Sequence, residues 1–185
     1  MADCTLLGSW PDLESWAPRY ALKLDVAAGE ARSDWRRIEL VASCVVRLAA
    51  MGAFVDQDAE HELASVTTEL VENAVKYTVD EAAFVSLQLT RYRGTLAIEC
   101  VNRATPHDVL ALIGVFDRLA IGDPSELLLA RLEHTAARDP HHSGIGLIKL
   151  RAECDVSLGA RIEPMNNEQV EVRLRALLGT TARNE

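Results

Sequence analysis

The chain has 185 residues, of which 49% are hydrophobic and 25% are charged, and its formal net charge is -9. This length fits one globular domain of about 100–200 residues, and the composition excludes a disordered or a fibrous chain. Because lysine and arginine form no cluster longer than the pair Arg36 and Arg37, the sequence predicts no nucleic-acid partner. No apolar run approaches the roughly 20 residues that cross a bilayer, and residues 1–29 lack a signal-peptide pattern, so we expect a cytoplasmic protein with no membrane partner.

The first half of the chain predicts one strand and two amphipathic helices. YALKLDVA alternates weakly and is interpreted as an edge strand, after a tryptophan-rich stretch, GSWPDLESWAPRY, that can form a short helical turn. Ser33 is expected to open a helix that continues to Gly52. A second helix is predicted over residues 60–78, with an apolar face formed by Leu63, Val66, Leu70, Ala74 and Tyr77.

The second half predicts two hairpins separated by helices. FVSLQLTRYRGTLAIECV alternates on both sides of Arg93 and Gly94, which is typical of an antiparallel hairpin. Thr105 and Asp123 each precede a proline, so each is expected to cap a helix, and these helices should end near residues 120 and 138.

The C-terminal part predicts a loop, a short helix over residues 147–154, and a second hairpin that turns at residues 164–167. Hairpins with helices between them favour an α+β two-layer sandwich over a doubly wound parallel sheet. The four cysteines lie far apart and form no CxxC pair, which fits neither a zinc site nor a disulfide scaffold. Cys44, Cys100 and Cys154 are interpreted as small core residues.

Two short motifs suggest where a ligand binds. ELVENAVKYT places Glu69, Asn73 and Lys76 at spacings of four and three, which puts three polar side chains on one stripe of a helix. Taken alone, that stripe is better explained as a solvated face with an ion pair between Glu72 and Lys76. SGIGL, at residues 143–147, brings glycines to the start of a helix, where backbone amides can hold phosphate groups, although a tight turn is the simpler interpretation.

Taken together, ELVENAVKYT, the following hairpin and SGIGLIKL resemble, in the same order, the N-box and second glycine box of the GHKL ATPases. The resemblance covers residues 59–177 and implies a Bergerat ATP-binding fold, with a mixed, mostly antiparallel sheet covered by helices on one face. Residues 1–30 would add an N-terminal extension and the edge strand to the same single domain, residues 1–185. The compact length and GIGLIKLRAEC are similar to the anti-sigma-factor serine/threonine kinases and the SiaB-like protein kinases.

The resemblance implies ATP and Mg²⁺ as cofactors and assigns roles to particular residues. Glu69 matches the catalytic carboxylate of the family, Asn73 the ligand of Mg²⁺, and Lys76 a cation that approaches the phosphates. The phosphates themselves are expected to lie against four residues of the glycine motif: Gly144, Ile145, Gly146 and Leu147.

The sequence departs from the family at the first glycine box, DxGxG, whose aspartate accepts a hydrogen bond from the adenine amino group. The corresponding strand here reads ECVNRATPHDV, which has no glycine and carries Asn102 near the aspartate position. The amide oxygen of Asn102 could accept the same hydrogen bond without the charge that strengthens it. Asn102 is equally well interpreted as a turn residue at a strand end.

The function implied by the resemblance is that of a Mg²⁺-dependent serine/threonine protein kinase, or an anti-sigma-factor-like regulator, with an atypical adenine-binding motif. Its partner would be a STAS-domain antagonist protein in bacterial partner switching, and the same resemblance hints at a homodimer. Residues 124–138 would occupy the place of the ATP lid, or form a packed helix. The missing DxGxG motivates an alternative: a nucleotide-independent binding module of GHKL shape that sequesters a regulatory partner.

Overall fold

A six-stranded sheet forms one layer of the molecule. The computed structural model describes residues 4–51, 57–135 and 145–179. The strands are β1 (Thr5–Gly8), β2 (Tyr20–Ala27), β3 (Phe84–Tyr92), β4 (Thr95–Ala104), β5 (Val156–Pro164) and β6 (Val170–Gly179). They lie in the order β1-β5-β6-β4-β3-β2, and each neighbouring pair is antiparallel. The α+β class is therefore confirmed, and the described sheet is antiparallel throughout, where a mixed one was expected.

Helices cover one face of this sheet and enclose the core. They are α1 (Ala28–Ser33), α2 (Arg36–Met51), α3 (Gln57–Lys76), α4 (Pro106–Ile121), α5 (Pro124–Thr135) and α6 (Ile145–Glu153). Alternate strand residues point to the core, because successive side chains of a strand face opposite sides. On β6, for example, the buried set is Val170, Val172, Leu174, Ala176 and Leu178. None of the described helices is long and apolar enough to cross a membrane.

Both predicted hairpins and both proline-started helices are confirmed. Gly94 has a φ of 73° at the β3–β4 turn, a conformation that glycine adopts without steric cost. Thr105 caps α4 through a capping box, in which its hydroxyl accepts a hydrogen bond from the Asp108 amide and its own amide donates to the Asp108 carboxylate. Asp123 accepts hydrogen bonds from the amides of Ser125 and Glu126 at the start of α5.

The start of the helix that was expected to open at Ser33 was predicted wrongly. Ser33 does not open it, because its hydroxyl donates to the Glu30 carbonyl and Ser33 is the last residue of α1. The following helix, α2, begins at Arg36, whose amide donates to the Asp34 carboxylate. Cys44 is also exposed rather than part of the core, since six residues after the buried Ile38 it is turned about 120° away on the helix.

Arg32 holds the C-terminal end of α3 in place. Its guanidinium donates to the carbonyl of Val75 at 3.0 Å and 2.7 Å, and also to the carbonyl of Thr78. The last carbonyls of a helix have no partner within the helix, so a cation at this position both satisfies them and complements the helix dipole. This contact fixes the end of α3, the helix that carries the ELVENAVKYT motif.

The second face of the sheet is polar and carries the tryptophan-rich segment, which contains a single turn closed by the hydrogen bond from the Trp16 amide to the Leu13 carbonyl. The Trp10 ring lies 3.8 Å from the Arg175 guanidinium, and Arg175 pairs with Glu99 at 2.9 Å. Trp16 packs edge-on against Tyr92 with 5.4 Å between ring centroids. The strand β1 that precedes this segment was not foreseen.

Candidate functional site

Glu69 and Asn73 lie one turn apart on the side of α3 that faces α6. The side of α3 opposite these two residues is fully buried through Val71 and Val75, and this packing fixes the rotation of the helix. The side-chain Nδ2 of Asn73 donates to the Glu69 carbonyl oxygen at 2.6 Å. This bond uses one of the two Nδ2 hydrogens, and the amide oxygen is the atom that Asn73 can offer to a metal ion.

Gly146, in the first turn of α6, lies directly against these two side chains. A Cβ at this position would overlap the Glu69 carboxylate and would lie 3.4 Å from Asn73 Nδ2. Only glycine leaves the carboxylate where it is. The glycine motif and the α3 stripe, more than 70 residues apart in the sequence at Gly146 and Asn73, are therefore in contact.

The Glu69 carboxylate is partly shielded from water. Its side chain is 21% exposed, and Lys149 Nζ lies 3.9 Å from its Oε1. Burial raises the pKa of Glu69, the negative charges of Glu72 and Glu153 raise it further, and Lys149 lowers it. Such a carboxylate accepts a proton more readily than an exposed glutamate.

An apolar cleft of about 290 Å³ opens beside Asn73. The wall from α4 contributes Val109, Leu112 and Val115, and the floor is formed by side chains of the central strands β4 and β6. Polar and charged residues are few and lie among these apolar ones: Asn73, Tyr77, Asn102, Asp108, Arg118 and Arg131. A mostly apolar concave site with a small number of polar groups is the usual form of a small-molecule site.

Asn102 is the polar residue at the base of this cleft. It lies on β4, opposite Val172 of β6, and is only 4% exposed. Its Nδ2 has no hydrogen-bond partner within the part of the chain that the structure describes. A buried donor without a partner is costly for the folded protein, about 1–3 kcal/mol, unless a bound group supplies the acceptor.

Charged groups border the cleft on the side of α4. Burial raises the pKa of Tyr77, and the nearby Asp108 carboxylate raises it further, so the phenol stays neutral. Arg118 of α4 also lines the cleft, and among the described residues no carboxylate pairs with it. The cleft thus combines apolar walls, an amide at its base and a guanidinium on one wall.

The structure brings most of the predicted site residues together. Asn73, Asn102 and Leu147 line the cleft, while Glu69 and Gly146 contact Asn73. Ile145 is the first residue of α6 and half-buried, and Gly144 lies outside the described residues.

Lys76, the third member of the stripe, does not lie at the cleft. It is exposed and is not among the described residues that line the cleft; its Nζ lies 5.3 Å from the ring centroid of Tyr77.

Three residues of the site were not anticipated. Tyr77 was assigned to the apolar face of its helix, yet it lines the cleft, and the sequence VKYT around it gives no signal of that. Arg118 and Lys149 lie in helices, where the sequence does not distinguish a single cation of the site from a cation on the surface. Within the described ranges, no group of three or more His, Cys, Asp and Glu side chains could hold a metal ion.

Comparison with known proteins supports the fold. No model of a known protein family matches the chain, and no curated protein matches it either. Among solved structures, it is similar to a chain in the crystal structure of the SiaB–SiaC complex from Pseudomonas aeruginosa, with a TM-score of 0.63 and 14% sequence identity. The similarity covers 90% of this chain and 94% of that chain. At this identity the likeness is one of fold, and it fits the GHKL-like fold expected from the sequence.

Proposed function

We propose that the protein is a Mg²⁺-dependent serine/threonine protein kinase of the partner-switching type. The observation that carries this proposal is the meeting of Glu69, Asn73 and Gly146 at the edge of an apolar cleft. A carboxylate, an oxygen ligand and a glycine at a helix start are the three elements that phosphoryl transfer needs in one place.

The cleft fits the base of a purine nucleotide. Its apolar walls suit a flat ring, and the unpartnered Nδ2 of Asn102 suits a polar atom on the edge of that ring. Asn102 would hold the base through its carboxamide, which offers a donor and an acceptor side by side. This differs from an ionised aspartate, which only accepts, and we therefore expect an atypical base site.

We expect the phosphates at the start of α6 and the Mg²⁺ beside Asn73 of α3. Backbone amides around Gly146 and Leu147 would hold phosphate oxygens, since free amides at a helix start carry partial positive charge. Asn73 would ligate Mg²⁺ through its amide oxygen, because Mg²⁺ prefers hard oxygen ligands. When bound, ATP would supply the γ-phosphoryl group, and Mg²⁺ would neutralise the charge on its phosphates.

Glu69 would act on the protein substrate. Its carboxylate would orient the attacking serine or threonine hydroxyl and take up its proton as the hydroxyl oxygen bonds to phosphorus. The raised pKa of Glu69 suits this role, since it makes the carboxylate a better proton acceptor near neutral pH. Lys149, 3.9 Å away, would keep the carboxylate ionised before the transfer.

The proposed substrate is a STAS-domain antagonist protein, acting in bacterial signal transduction in the cytoplasm. The similar solved chain comes from a complex of two proteins, SiaB and SiaC, which supports a protein partner for a chain of this fold. We further propose that the active species is a homodimer.

The experiment that tests the proposed function uses STAS-domain proteins of the same organism and radiolabelled ATP. Glu69→Gln should abolish labelling of the cognate substrate, while Glu62→Gln, two turns earlier on the same helix, should leave it intact. Equal labelling by the wild type and Glu69→Gln would refute the catalytic role of Glu69. Retained binding of the substrate by Glu69→Gln would show that the variant is folded.

Asn102 favours a second candidate, in which the protein sequesters its partner without using nucleotide. The site lacks the charged acceptor of the related kinases, which would weaken adenine binding. In that case the wild type would label no STAS-domain protein, and Mg²⁺ with ATP would leave the affinity for the partner unchanged. An effect of nucleotide on partner affinity would exclude this alternative.

A further inference from the structure

β2 ends the sheet and leaves one side of its backbone open. It is eight residues long, and among residues 4–51, 57–135 and 145–179 no strand pairs with its outer edge. Such an edge presents a row of unpaired N–H and C=O groups to any strand that can align with it. Three of its apolar side chains, those of Leu22, Leu24 and Val26, pack against the core while remaining only half-buried.

The alternation of hydrogen bonds between β2 and β3 shows which residues of β2 direct their N–H and C=O groups outward. The Ala28 amide donates to the Ala83 carbonyl at 3.0 Å, and Tyr20 lies opposite Arg91 in the same register. In an antiparallel ladder, bonded and non-bonded residues alternate, so the even-numbered residues of β2 bond to β3. The outward groups therefore belong to the odd-numbered residues: Ala21, Lys23, Asp25 and Ala27.

The charges on this edge are self-complementary in one register. Consider two antiparallel copies of β2 aligned so that Leu24 of one lies opposite Leu24 of the other. In this register Lys23 of each copy lies opposite Asp25 of the other, and the residues with outward backbone groups in one copy lie opposite those in the other. Shifting the register by two residues in either direction places Lys23 opposite Lys23, or Asp25 opposite Asp25, which is unfavourable. Within one copy, Lys23 Nζ lies 3.9 Å from Asp25 Oδ1, and both side chains remain more than half exposed, at 62% and 53%, so each is also accessible to a partner strand.

We propose that β2 pairs with β2 of a second copy of this chain about a twofold axis at Leu24. The pairing forms about eight backbone hydrogen bonds by the antiparallel pattern and joins two sheets into one. Leu22 of each copy lies opposite Val26 of the other on the helix side, which extends the apolar layer across the interface. On the other side, Phe84, 64% exposed and opposite Ala27 in the register, borders the new contact.

Reversing the charges of Lys23 and Asp25, singly and together, tests this interface. The oligomeric state of the full chain would be measured by sedimentation equilibrium for the wild type, Lys23→Asp, Asp25→Lys and the double variant. We expect a wild-type dimer, a dissociation constant raised about tenfold or more in each single variant, and recovery in the double variant, where opposite charges face each other again. Glu168→Lys, in the exposed β5–β6 turn, makes the same charge change as Asp25→Lys and should have no effect.

A proline variant and amide exchange locate the contact. Ala21→Pro removes an outward N–H without touching the β3 ladder, so it should weaken the dimer and leave the melting temperature of the monomer nearly unchanged. In the wild type, the amides of Lys23 and Asp25 should exchange slowly at concentrations that favour the dimer. A wild type that is monomeric at all concentrations, a dimer indifferent to both charge reversals, or fast exchange of these amides in the dimer would each overturn the proposal. None of these readouts depends on nucleotide binding.

Discussion

Gly146 of α6 lies so close to Glu69 of α3 that any side chain on Gly146 would displace the Glu69 carboxylate. The first obstacle that an added methyl group meets is the end of a flexible side chain, not backbone. Gly146→Ala should therefore change stability little, yet misplace the carboxylate, and a shift of about 1 Å can reduce transfer about 100-fold. Thermal unfolding and the phosphotransfer rate, measured on the same preparation, check this prediction.

Gly159→Ala is the control for Gly146→Ala, because the same substitution there should affect stability and not activity. A Cβ at Gly159 would overlap the backbone carbonyl of Ser9, and backbone cannot shift as easily as the end of a side chain. We expect a clear loss of melting temperature, with activity of the remaining folded protein retained. If Gly146→Ala lowered stability as much as Gly159→Ala, or left the transfer rate intact, the proposed role of the Gly146 contact would be wrong.

The raised pKa of Glu69 gives stability a defined pH dependence. A carboxyl group whose pKa is raised by folding stabilises the protein below its unfolded pKa, near 4.5, and this contribution is lost as pH rises through the folded pKa. Glu69→Gln removes the buried charge, so it should raise the melting temperature at pH 7–8, and this gain should vanish towards pH 4. A constant difference across that range would show that burial does not shift Glu69.

We expect Asn102 to lower the stability of the free protein while favouring nucleotide binding. Asn102→Leu removes the unpartnered Nδ2, so the free protein should gain about 1 kcal/mol in its free energy of unfolding. The same change should weaken nucleotide binding and reduce the thermal shift produced by Mg²⁺ and ATP. A variant that is less stable than the wild type without nucleotide would mean that Asn102 serves the fold instead.

The Arg32 contact with the end of α3 should stabilise the protein. Arg32→Met leaves the carbonyls of Val75 and Thr78 without their donor, and we expect a loss of about 1–3 kcal/mol. Arg32→Lys should recover only part of it, because an ammonium cannot reach several carbonyls in the way that a planar guanidinium does. Chemical denaturation measures all three proteins, with the exposed Arg93→Met as a control; equal stability of Arg32→Met and the wild type would contradict the assignment.

Local signals in the sequence predicted the elements that depend on few residues. The Thr105 cap and the Arg93–Gly94 turn define α4 and the first hairpin, because caps and turns are set by neighbouring residues. β1 escaped prediction because four residues cannot show an alternating pattern, and it forms only by pairing with β5 more than 150 residues later. Ser33 was misassigned because a serine can end one helix as readily as open the next.

The sequence predicted the members of the candidate site that lie on one helix, but not the residues that other helices bring to it. Glu69 and Asn73 followed from their spacing, whereas Lys76 shares the angular position of Glu69 but lies about 10 Å further along the axis. No local pattern could show that α4 would bring Arg118 to the cleft, or that Tyr77 would line it. These contacts are consequences of how helices pack on the sheet.

The most direct test of the central claim is calorimetric titration with ATP and with a non-hydrolysable analogue, each with and without Mg²⁺. We predict binding that depends on Mg²⁺ in the wild type and is lost in Asn73→Ala. Gln88→Ala removes a carboxamide from the opposite face of the sheet and should bind as the wild type does. Absence of heat at millimolar nucleotide, or equal binding by Asn73→Ala, would contradict the assignment of this cleft as a Mg²⁺–nucleotide site.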